Sequence, residues 1–155
     1  MNATQRAQLG VALRAETNPG VVAAIAARND TYVTDWCNGL STTDAWLSNA
    51  TDRDLFEATD VTKFDGLAAG KREAQSRMER FAPLDFARQK MRKALQDIWG
   101  NADSVAVLQA LRRKATRGEL YLGGVEATTN TVTALRLNFE GSVSAEDVGR
   151  ALNGN

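Results

Sequence analysis

Apolar residues recur at three- and four-residue spacing along most of the chain, and this period predicts helices. Leu9, Ala12 and Leu13 give a first helix from Thr4 to Glu16. Asn18 is placed to cap a second, with Pro19 at its first position and Val21, Val22, Ile25 and Ala26 on its apolar face. A third, from Thr31 to Asn38, carries Tyr32, Val33 and Trp36 and stops at Gly39. Three short helices are then expected: one capped by Thr42 or Thr43 and carrying Trp46 and Leu47, one capped by Thr51, and one capped by Thr59 or Asp60. A polar helix from Lys71 to Phe81 ends before Pro83.

The strongest amphipathic stretch follows. Leu84 to Trp99 sets Phe86, Met91, Ala94, Leu95, Ile98 and Trp99 on one side and Arg88, Lys90, Arg92 and Lys93 on the other. At 1.5 Å per residue it spans roughly 24 Å, and Gly100 suits its C-terminus. Asn101 or Asp103 caps a further helix, with Val105, Leu108, Leu111 and Ala115 inward and Gly118 as its stop. The period then changes. Leu135, Leu137 and Phe139 alternate with polar residues, as in a strand. Leu120 and Leu122 suit the other arm of a hairpin bending near Thr128 to Asn130, and Ser144 caps a short last helix. These signals predict a mainly α protein: a helical bundle over 1–118, then an extended or β-hairpin arm with a short helix over 119–155.

Composition narrows the chemistry. The 155 residues are 43% hydrophobic, enough for a core. There is no histidine, which removes Ser-His and Cys-His nucleophiles and the commonest general base. Cys37 is the only cysteine; it reads as a buried thiol beside Trp36, and no intrachain disulfide is possible. "DRDLFEATD" lacks the glycine and terminal glutamate of a calcium loop, and its acids read as helix caps. "GLAAGKREA" has no Ser or Thr after its lysine, and Gly123 and Gly124 mark a bend. No catalytic residue, cofactor or metal is therefore expected. No stretch reaches 18 apolar residues and "MNATQRAQLG" lacks a signal-peptide core, so a soluble protein made in a cytoplasm is expected.

Charge changes the picture most. The formal net charge is zero, yet residues 30–65 hold eight acids against two bases, while 71–117 hold twelve bases against five acids. Solvated helix faces that pair within the monomer explain part of this. The alternatives are an acidic segment of one copy docking on the basic segment of the next, or a basic surface along a DNA channel. The residues that would carry either role are Arg88, Lys90, Arg92, Lys93, Arg112, Arg113 and Lys114, with Trp99 as a candidate interface anchor.

"TKFDGLAAGKREAQSRMERFAPLDFARQKMRKALQDIWG", then "RKATRGELYLGG", a Thr-rich segment and "FEGSVSAEDVGRALN", resembles the head–tail connector, or neck adaptor, proteins of tailed bacteriophages. The resemblance covers roughly residues 60–153. It implies a helical bundle assembling as a ring, often of twelve copies, below the portal. It also implies a C-terminal segment docked on the portal, stopper or tail-terminator proteins beyond, and genomic DNA passing through the opening by non-specific contacts. The expectation is a structural, non-enzymatic virion protein of the neck, made in the host cytoplasm and without a membrane partner. The alternatives are a small helical DNA-binding regulator or another neck or head completion protein.

Overall fold

The computed structural model describes residues 1–154. In chain order its elements are α1 (Ala3–Arg14), α2 (Pro19–Ala26), α3 (Asp30–Asn38), β1 (Leu40–Trp46), α4 (Asp52–Ala58), α5 (Val61–Asp65), α6 (Ala69–Arg80), α7 (Gln89–Ala110), β2 (Arg112–Thr116), α8 (Arg117–Tyr121), β3 (Gly124–Thr129), β4 (Val132–Leu137) and α9 (Ala145–Asn153). The strands form one four-stranded mixed sheet in the order β2-β1-β4-β3. This overturns the expected helical bundle with a small hairpin: the fold is α+β.

Two segments account for the difference. "LSTTDAW", expected to hold a helix cap, is β1, which runs parallel to β4 with Ala45 opposite Leu135. Its partner lies ninety residues away, beyond the reach of any local signal. "RRKAT", expected to continue a helix, is β2. Leu111 and Ala115 are buried as their spacing requires, but a four-residue interval satisfies the two-residue period as well as the helical one.

Helix ends follow local chemistry more closely. Asn2 and Thr51 form reciprocal capping boxes with Gln5 and Asp54, while Asn18, Asp60 and Ser144 accept first-turn amides. Thr116 does the same with Glu119, so α8 begins where Gly118 was expected to end a helix. Within α7, Gly100 has φ 77° and interrupts the helical path at the expected terminus. The start of α7 is later than expected. Ala50 and Leu84 exchange backbone hydrogen bonds of 2.9 and 2.8 Å, and the Phe86 amide donates to the Leu47 carbonyl at 2.8 Å. These bonds tie residues 84–86 to residues 47–50 ahead of a turn, and α7 starts at Gln89.

The chain divides into two compact units, each built from separated segments. The first comprises Met1–Thr42, Lys114–Gly124 and the stretch from Leu137. In it α1 packs on α9, and α3 on α2, α8 and α9, around Leu9, Leu13, Val33, Cys37, Leu122, Val143, Val148 and Ala151. Gly10 allows the close approach of α1 to α9, because a Cβ there would overlap the Ala151 carbonyl. The second unit comprises Thr43–Arg113 and Val125–Arg136. There α7 packs on α4 and α6 around Trp46, Leu55, Phe86, Leu95, Trp99, Leu108, Leu111, Val132 and Ala134. The C-terminal region expected to be an arm contributes β3 and β4 residues to the second unit and α9 to the first.

Candidate interface residues and a basic pocket

The helix expected to carry a continuous basic face is divided by burial. Arg88 is exposed as the N-cap residue of α7, its Nε donating to Asp85 Oδ2 at 2.8 Å. Lys90 and Lys93 are exposed and make no hydrogen bond or ion pair among the described residues. Arg92, expected beside them, is only 2% exposed and belongs to the interior. The other three candidates lie on β2. Arg112 Nη1 donates to Asp44 Oδ2 at 2.8 Å, Lys114 Nζ to the Thr42 carbonyl at 2.9 Å, and Arg113 is half-buried. One helix face therefore does not collect the seven cations.

Trp99 is a core residue. It is 4% exposed, its indole N–H donates to Gln75 Oε1 at 2.8 Å, and its ring lies 6.3 Å from that of Phe64. Gln75 in turn donates to Thr59 Oγ1 at 2.8 Å. An aromatic carrying a polar edge needs such a partner when buried. Gln75 was invisible in the sequence because it sits in a strongly polar helix.

Arg92 organises the entry to α7. Its Nε donates to Thr129 Oγ1 at 2.8 Å, and its Nη1 to the carbonyls of Phe86 and Ala87 at 2.6 and 2.8 Å. The guanidinium carbon sits 4.7 Å from the centre of the Trp46 ring. Trp46 is fixed by its own bond to the Ala127 carbonyl, at 2.8 Å. Burial pushes the Arg92 pKa below the usual arginine value; Asp85 opposes the shift and Arg136 adds to it. Nη2 has no acceptor among the described residues. Arg92, Arg136, Gln89 and Glu126 line a pocket of about 320 Å³ whose apolar surface comes from Ala87, Val125 and Ala127.

The first unit has its own polar chain. Trp36 Nε1 donates to the Tyr121 hydroxyl at 3.0 Å, and that hydroxyl donates to the Glu16 carboxylate. The Arg117 guanidinium stacks 4.0 Å above the Trp36 ring. The Tyr121 bond holds the Glu16 carboxyl below its usual value, while burial and then Glu16 push Tyr121 up to about 12. Burial, followed by Glu16, raises the Cys37 thiol to about 11, which leaves it protonated and unreactive at neutral pH. Glu119, 2% exposed, accepts the Thr116 and Gly141 amides at 2.8 and 3.0 Å. These groups bind elements of the first unit together.

Large apolar side chains also remain at the surface. In the second unit Phe56, Val61 and Phe81 are exposed, Phe81 at 77%. No helix among the described residues is long and apolar enough to cross a membrane. Comparison with family models, with curated proteins and with solved structures found no match.

Proposed function

We propose that this chain is a structural virion protein of a tailed phage. In this reading it is a head–tail connector, or adaptor, of the neck, whose copies form a ring between portal and tail components around the DNA channel. The reading rests on the sequence resemblance and on one observation about charge. Exposed Asp52, Asp60 and Asp65 on the acidic run make no ion pair among the described residues, and neither do exposed Lys71, Lys90 and Lys93 on the basic run. Complementary charges left open on one chain suit contacts between identical copies. Exposed Phe56 and Phe81 add apolar area of the kind that protein contacts cover. The α+β fold differs from the bundle that the resemblance implies, so the surface carries the reading.

The regulator alternative is weakened by the same geometry. With Arg92 buried and Arg88 paired to Asp85, α7 offers Lys90 and Lys93 as its exposed, unpaired cations near its start.

The test replaces Lys90 and Lys93 by Glu together in the full chain. Mixed with the portal protein of the same phage, the wild type should give rings in negative-stain images and a matching mass by light scattering. The double variant should stay monomeric with unchanged circular dichroism. Wild-type chains that remain monomeric with portal, or a variant that assembles normally, would reject the charge-docked ring. Tight, steeply salt-dependent binding to free duplex DNA would favour the regulator instead.

A further inference from the structure

The pocket at the start of α7 holds a charge that the chain does not neutralise. A buried guanidinium ordinarily has a carboxylate partner, because an ion taken out of water loses its hydration. Arg92 has none: its bonded acceptors are one hydroxyl and two carbonyls. Asp85 is near enough to favour its charged form, but that carboxylate is occupied by Arg88 at 2.8 Å and the Ala87 amide at 3.0 Å. A second guanidinium, Arg136, lines the same pocket, is exposed, and makes no hydrogen bond or ion pair among the described residues. The two cations disfavour one another.

We infer that this pocket is a binding site for a carboxylate on a short aliphatic stem, held between Arg92 Nη2 and Arg136. Preorganisation supports it. Three hydrogen bonds and the Trp46 ring fix the plane of the Arg92 guanidinium, so little freedom is lost when an oxyanion meets the remaining nitrogen. Charge selects the anion. Two arginines and Glu126 give the lining a formal charge of +1, which one carboxylate neutralises. A phosphate dianion would overshoot and face Glu126. Size leaves room for the stem. About 320 Å³ is room for roughly ten waters, well beyond a bare carboxylate, and Ala87, Val125 and Ala127 offer apolar wall. The carboxylate can come from a free small acid or from an Asp or Glu of a second copy. The site itself does not depend on the chain forming a ring.

The experiment titrates the full-length chain with sodium butyrate and, separately, with inorganic phosphate, following amide and arginine Nε–H signals by NMR. Butyrate should shift the Arg92 Nε–H and the amides of residues 125–128 saturably, and phosphate should bind more weakly. Arg136→Gln, a surface change that leaves the fold intact, should weaken butyrate about tenfold, the scale of one charge-assisted contact. No saturable shift, equal affinity in the Arg136→Gln protein, or tighter binding of phosphate would each overturn the assignment. Light scattering separates the sources. If butyrate dissociates an oligomer that Arg136→Gln also fails to form, a second copy supplies the carboxylate; if butyrate binds with no change in mass, the occupant is a free acid.

Discussion

Each unit contains one arginine stacked on one tryptophan, and the two pairs differ in what surrounds them. Arg92 lies over Trp46 in the second unit, 2% exposed, with three of its hydrogen bonds to groups that have left water. Arg117 lies over Trp36 in the first unit, half-buried, with one bond of 3.3 Å to the Trp36 carbonyl. The stacking distance is shorter in the first unit, at 4.0 against 4.7 Å. Contact distance nevertheless does not rank their importance. What ranks them is how many buried acceptors would be orphaned if the cation were removed.

That contrast predicts the largest effect. Arg92→Ala should cost about 3–5 kcal/mol, since it strands two carbonyls and a hydroxyl and opens a cavity beside Trp46. Arg117→Ala should cost only about 1 kcal/mol. Urea unfolding of both variants, followed by tryptophan fluorescence, compares them directly; equal losses would show that stacking, not acceptor satisfaction, sets the scale.

A pH scan probes the buried acids of the first unit. Cys37 and Tyr121 have folded pKa values raised from 9.0 to about 11 and from 10.0 to about 12. In both cases the unfolded chain loses its proton first. Their contribution is complete below the unfolded value and fades as pH rises towards the folded one. Stability should therefore begin to fall near pH 9, with a loss of up to about 2–3 kcal/mol by pH 11 from the thiol. Cys37→Ala should delay the onset to about pH 10, where Tyr121 of the unfolded chain begins to lose its proton. An unchanged onset would mean that the thiol is not the group responsible.

Packing in the first unit supplies an effect smaller than that of Arg92→Ala. Gly→Ala inside a helix usually stabilises by about 0.5–1 kcal/mol. At Gly10 it should destabilise by about 1–3 kcal/mol instead, because the added methyl meets the Ala151 carbonyl. A thermal melt of Gly10→Ala that matches or exceeds the wild type would show that α9 can retreat without cost.

These sites also show what the sequence made legible. Asn18–Pro19, Thr51, the Thr59–Asp60 pair, Gly100 and Ser144 announced helix ends because caps act within four residues. β1 and β2 were hidden because a strand's support comes from a distant partner, and because Leu111 and Ala115 fit both periods. Arg92 was read as surface from its charged neighbours. Its burial depends on Thr129 and on the non-helical entry at residues 84–88, neither of which a helical wheel contains. Arg136 gave no signal at all, since one arginine at a polar position of an alternating strand reads as solvated.

The parallel pairing of β1 with β4 has a consequence for biosynthesis. Residue 45 leaves the ribosome about ninety residues ahead of residue 135, and no hairpin can join parallel neighbours early. Until β3 and β4 emerge, the Trp46 indole lacks the Ala127 carbonyl and Arg92 lacks the Thr129 hydroxyl. The nascent second unit must therefore wait, with an aromatic and a guanidinium still in water, for its last strands to be translated.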